Sequence, residues 1–185
     1  MSVGRSDYTD HTVLLYDTES NHLSSTTVTN HDKTAKHIQV SAIPKSLKAN
    51  DDCKLLILSS PTPREYLGKV KKIGGDICIA LFQGQEKEKR TAVRYPVITV
   101  ALINALVVDE QSYALQTPIR IELINISTSG IRFRAPYYSL VKDDVFKMNL
   151  IISNNKRIIT AKVTNYIDND STSSSDYGCQ LLGVE

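Results

Sequence analysis

The chain has 185 residues, 41% of them hydrophobic and 23% charged, with a formal net charge of +2. That length holds one medium domain or two small ones, and the composition is that of an ordinary globular protein. Near-neutrality excludes general binding to nucleic acids or membrane surfaces, so any bound anion must be held by a local cluster of charge.

Val and Ile recur in short runs, with turn residues every 8–12 positions or so, a pattern of barrels and sandwiches. In chain order the first part offers strands at Thr12–Tyr16, Thr26–Val28, His37–Ser41, Lys54–Leu58, Leu67–Ile73 and Asp76–Phe82. Ser59–Pro63 reads as a loop, because proline cannot donate to a ladder, and Lys72–Asp76 reads as a glycine turn. The charge run Glu86–Arg90 reads as a linker and places the boundary: residues 1–88 form one small β-barrel domain and 89–185 a second.

In the second part, candidate strands are Val97–Val100, Leu102–Val108, Ile119–Ile126, Gly130–Arg134, Val145–Ile152, Lys156–Tyr166 and Tyr177–Gly183. Asn154-Asn155 should turn a hairpin, Ser139–Met148 has room for one helical turn at most, and the Ser-rich Asp168–Asp176 reads as a mobile surface loop. The longest apolar run, Tyr95–Val108, is interrupted and too short to cross a bilayer as a helix. With no apolar stretch behind the polar Met1–Asp10, the expected location is the cytoplasm.

Two short patterns carry chemistry. Arg90-Thr91-Ala92-Val93-Arg94 is RxxxR, followed by Tyr95-Pro96. Its Cα ends can lie about 13 Å apart when extended and roughly 6 Å apart in a turn, so both guanidinium groups can close on one ligand. Guanidinium forks match phosphate bidentately and read the O6/N7 edge of guanine. The second pattern, Asn125-Ile126-Ser127-Thr128-Ser129-Gly130, is NxSxxG. A strand would set Asn125 and Ser127 on one face, and Ser129-Gly130 would permit a tight turn with positive φ at Gly130. In the following Ile131-Arg132-Phe133-Arg134, the two arginines share a face, more plausibly toward solvent than toward a ligand.

RxxxR followed about 30 residues later by [D/N]xSxxG resembles the signature of cyclic di-GMP-binding PilZ domains. Tyr95-Pro96, the strand after Gly130 and the closing Tyr177–Val184 fit the same resemblance, which spans about Arg90–Glu185. It implies an all-β protein with a C-terminal six-stranded barrel. It further implies that Arg90 and Arg94 hold phosphate and guanine, and that Asn125, Ser127 and Gly130 meet the other guanine and its sugar-phosphate. Lys89, directly before Arg90, and Arg132 are secondary candidates; in the family a basic residue at the former place goes with a stacked ligand pair. Asn125 stands where the family often has Asp, and one amide oxygen accepts guanine N–H groups less well than a carboxylate.

The first part resembles the N-terminal module of flagellar-brake-type proteins by size, β content and position. The expected function is a receptor: cyclic di-GMP orders the linker and changes the geometry between domains, and the altered surface meets a protein partner in motility, secretion or surface polysaccharide. The alternative is a degenerate PilZ module that binds protein but no nucleotide. A single-strand-binding barrel is disfavoured by the low charge and scarce aromatics.

No nucleophile elbow, P-loop or paired catalytic carboxylates are present, so no enzyme activity is expected. Cys53, Cys78 and Cys179 form no CxxC pair and read as free thiols. His11, His22, His31 and His37 match no metal-ligand spacing, so no metal or other cofactor is expected.

Overall fold

The computed structural model describes residues 7–73, 75–82, 93–152 and 155–185. Every regular element among them is a β-strand: β1 Thr12–Tyr16, β2 His22–Asp32, β3 His37–Val40, β4 Asp52–Ile57, β5 Arg64–Ile73, β6 Asp76–Phe82, β7 Tyr95–Val108, β8 Gln111–Ile126, β9 Gly130–Pro136, β10 Val145–Ile152, β11 Asn155–Asn169 and β12 Ser174–Val184. They form two closed six-stranded barrels, ordered β1-β2-β3-β6-β5-β4 and β10-β11-β12-β9-β8-β7. All pairings are antiparallel. Closure removes most of the unpaired edges that a short sheet would expose.

The barrels belong to two compact units. The expected boundary, residue 88/89, lies outside the described residues, and the Ser60–Pro63 loop groups with the second unit.

In the first barrel the inward residues of every strand meet in one core of Val13, Leu15, Val28, Ile38, Leu55, Ile57, Val70 and Ile79, with Tyr8 and Cys53 beside them. Tyr8 precedes β1 and is tied in by its hydroxyl, 2.6 Å from that of Tyr66. Gly68 on β5 stands opposite Cys53 on β4. A Cβ at Gly68 would collide with Leu55 Cδ1 and lie 2.6 Å from Ile79 Cγ2. Glycine there lets the strands close around a full core.

The second barrel alternates cleanly. β9 buries Ile131, Phe133 and Ala135 while exposing Arg132 and Pro136. Phe133 stacks on Tyr177 with centroids 5.2 Å apart and meets Phe146 edge-on at 5.6 Å. Such ring pairs contribute about 0.5–1.5 kcal/mol each beyond their burial.

Several strands differ from the expectation. The runs at 97–100 and 102–108 are one strand, β7, because Ala101 between them is buried in the core. β2 and β8 extend well beyond their apolar parts, into polar segments held by backbone ladders that no hydrophobic pattern announces. The 168–176 stretch is largely strand: Asp168 and Asn169 close β11, and Ser174–Asp176 open β12. Its hydroxyls are internal, Ser175 donating to Asp168 and Thr172 bonded to Ser174, so a Ser-rich segment here pairs rather than wanders. The β10–β11 hairpin pairs Ile152 with Asn155; Asn154 lies outside the described residues. No helical turn occurs between Ser139 and Met148.

Gly68→Val is expected to destabilise the first barrel by about 1–3 kcal/mol through overpacking. Urea denaturation monitored by tyrosine fluorescence checks this.

Candidate functional site

The register of the second barrel decides what meets what. β7 begins at Tyr95, which pairs with Ile126 at the end of β8, and Pro96 pairs with Asn125. Arg94, one residue before the strand, therefore stands at the corner where β8 gives way to the Ser127–Ser129 turn. Arg94, the last residue of one motif, and Asn125, the first of the other, lie 31 residues apart in the chain and share this corner. Arg94 is exposed, and among the described residues its guanidinium has no hydrogen-bond or ion-pair partner. Arg90 and Lys89 lie outside the described residues.

Asn125 is half-buried and stands between Pro96 on β7 and Arg132 on β9. Ser127 does not share its strand face, since β8 ends at Ile126. Instead the hydroxyl turns into the loop. Ser127 Oγ accepts from the Gly130 and Ser129 N–H groups at 3.0 and 3.3 Å, and donates to the Gly130 carbonyl at 3.1 Å. One donor and two acceptors exhaust what a hydroxyl offers, so Ser127 holds the turn's shape. The turn is pinned further by Ser127 N–H to Gly130 O at 2.8 Å and Leu181 N–H to Ser129 O at 2.9 Å.

Gly130 is required for a reason other than the expected one. Its φ is not positive; among the described glycines the positive φ is that of Gly75, in the expected β5–β6 turn. A Cβ on Gly130 would lie 2.8 Å from the Cys179 carbonyl oxygen of the neighbouring β12. Close backbone approach across β9–β12 is the constraint.

The two arginines of β9 face outward, as the alternation implies, but they are not free solvent-face residues. Asp176 on β12, paired with Arg134 and mostly buried, accepts from both. Arg132 Nη2 donates to Oδ2 at 2.9 Å, and Arg134 donates from Nε to Oδ1 at 2.8 Å and from Nη2 to Oδ2 at 3.4 Å. Burial raises the Asp176 carboxyl, but the hydrogen bonds and charges of Arg134 and Arg132 outweigh it and hold the group below its ordinary value. The same bond raises Arg134. Asp176 was hidden in the Ser-rich stretch, and only the β9–β12 pairing reveals it. The result is an arginine fixed on the outer row beside Asn125. Beyond Glu122 and Arg134 the β8–β9 ladder ends, leaving an open cleft of about 320 Å³ lined by Val100, Arg120, Glu122, Arg134 and Ser173 among others.

His31 accepts the Tyr8 N–H at 3.2 Å and stacks on the Tyr8 ring. The three cysteines are free and buried, and burial pushes the Cys53 and Cys179 thiols up to about 11 and about 12. Among the described residues no group of three or more His, Cys, Asp or Glu could hold a metal ion.

No family model and no curated protein matches the chain. Among solved structures, the Bacillus subtilis inhibitor of motility, MotI/DgrA, is similar at 11% identity and TM-score 0.40, covering 97% of this chain and 90% of that one. The K. pneumonia MrkH–c-di-GMP complex is similar at 13% identity and TM-score 0.36, covering 93% and 78%. Apo MrkH gives 15% identity and TM-score 0.33, covering 94% and 80%. Superpositions this loose say nothing about ligand or partner.

Two outcomes follow from this geometry. Gly130→Ala is expected to cost about 1–3 kcal/mol of stability, from the clash with the Cys179 carbonyl, read as a fall in melting temperature. For Asp176, a folded value below the ordinary 3.8 means its contribution is complete above about pH 4 and is lost as pH falls through the depressed value. Asp176→Asn should therefore give a shallower loss of stability with acid below about pH 4 than the wild type, in urea midpoints measured against pH.

Proposed function

We propose that this chain is a PilZ-type receptor for cyclic di-GMP rather than an enzyme. The supporting observation is the β7–β8 register, which sets Arg94 beside the NxSxxG turn. In this reading Arg94 and Arg90 take a phosphate and a guanine edge, with Lys89 as a further cation. Asn125, with Arg132 held beside it by Asp176, meets the second guanine and its phosphate. Ser127 and Gly130 serve by shaping the turn, and any ligand contact from Ser127 Oγ displaces one of its present bonds.

Ligand draws the Lys89–Arg94 linker onto the barrel corner, changes the disposition of the two domains and so alters the surface offered to a protein partner. A ligand moves such an equilibrium only by its preference for the closed form. Charge-assisted hydrogen bonds contribute roughly 1.5–3 kcal/mol each. A handful, less the ordering cost of the linker, reaches about −8 kcal/mol, or micromolar affinity.

The alternative, a PilZ module that binds protein but not nucleotide, draws on one observation: local backbone bonding already accounts for Ser127 and Gly130.

Isothermal titration with cyclic di-GMP, with GTP and cyclic di-AMP as controls, separates the two. Selective binding of one or two ligands per chain is expected. Arg90→Ala and Arg94→Ala should each cost about 2–4 kcal/mol, roughly 30- to 700-fold in Kd, with unchanged melting. Wild-type affinity in both variants would remove the arginines from the site, and no heat at high ligand would favour the protein-binding module.

A further inference from the structure

Along β7, Pro96, Ile98, Val100 and Leu102 occupy alternate positions on the outer face. Val100 and Leu102 are 45% and 41% exposed, whereas Ile98 is 89% exposed. The register explains the difference. Val100 pairs with Glu122 on β8 and Leu102 with Arg120, so the aliphatic stems of long charged side chains run beside both. On the other side, the ladder to β10 reaches only as far as Leu102. Ile98 has neither kind of neighbour: it falls in the register shift between Pro96 and Thr99.

Two irregularities meet at this level. Pro96 to Thr99 is three steps on β7 against two from Asn125 to Leu123 on β8. Leu123 to Asn125 is in turn two steps on β8 against one from Phe133 to Arg132 on β9. A bulge re-aims the side chains it carries. Here Val97 and Ile98 stand against the half-buried Ile124, and Ile98 projects from the wall. Ile98 is two residues from Pro96, the partner of Asn125, and Asn125 in turn pairs with Arg132. Diagonal neighbours across a strand pair lie roughly 7–8 Å apart. A bare apolar side chain is thus set among an amide, a guanidinium held by Asp176 and the exposed Arg94. That combination fits a flat heteroaromatic base, which is polar at its edges and presents a π-face to stack on. The bare surface is one side chain wide, far less than a protein interface covers.

We infer that Ile98, backed by Ile124, is the apolar platform against which the guanine met by Asn125 packs. This deepens the receptor reading and rests on it: the polar groups read the edge of the base, and Ile98 covers its face. Contact removes apolar surface of both partners from water.

Calorimetric titration of the full chain with cyclic di-GMP, joined to methyl NMR, tests it. Ile98→Ala should weaken binding about five- to thirtyfold, and Ile98→Leu, which keeps the apolar surface, should bind like the wild type. Neither should move the melting temperature, since a side chain 89% exposed has little packing to lose. In protein labelled at the isoleucine δ1 methyl groups, the Ile98 signal is assigned by its disappearance in Ile98→Leu. It should shift upfield at saturating cyclic di-GMP, because the ring current of a base lying over a methyl group shields it. An Ile98→Ala variant that binds as tightly as the wild type overturns the inference, and so does an Ile98 methyl signal unmoved at saturation; either leaves the receptor reading standing. A wild type that binds no cyclic di-GMP removes both. The wild-type titration alone decides the reading, so the two failures are told apart.

Discussion

A sheet that closes on itself has no freedom of register. Once β7 pairs with β10 on one side and β8 on the other, each residue's height on the barrel is set, because a slip of one would turn every core side chain outward. Phe133, Phe146 and Tyr177 lock this choice from inside, their rings packed at 5–6 Å. What happens on the outside follows: Arg94 comes to the Asn125 end of β8, Arg132 stands across from Asn125, and Asp176 comes beside Arg132 and Arg134. No polar interaction on the outer face needs to organise the site. The apolar interior does so, and the polar groups refine the aim.

The near-zero net charge is consistent with such economy. Asp176 neutralises part of the arginine pair that it steadies, so the outer face carries oriented donors without a broad positive field. Fixed donors favour a ligand with matching acceptors over polyanions in general.

Much of the fold was legible because inward positions alternate with outward ones, as at Ile131, Phe133 and Ala135, or at Phe146, Met148 and Leu150. Strand ends were not legible where both faces are polar. The outer reaches of β2 and β8, and the Ser174–Asp176 start of β12, are held by backbone bonds, to which every residue but proline contributes alike. The candidate site divides along the same line. Motif spacing singled out Arg94, Asn125, Ser127 and Gly130 as candidates, but it misread the local geometry of the last two: Ser127 falls beyond the strand and Gly130 has no positive φ. A hydroxyl that accepts N–H groups from its own turn and a glycine opposed by a backbone oxygen are tertiary facts. Asp176 lies 44 residues beyond Arg132 and belongs to no motif, so only strand pairing could bring it forward.

The Ser127–Gly130 turn bears on how chains of this shape drift. Arg94 lies on the surface and can be exchanged without disturbing a packed atom. The serine and glycine cannot, since removing the hydroxyl orphans two N–H groups and adding a methyl group strikes a carbonyl. In a lineage freed from its ligand, Arg94 would erode first while the serine–glycine turn persisted as an architectural relic. On the receptor reading, the two halves of the signature answer to different selective pressures, and the half that survives longest reports least about what is bound.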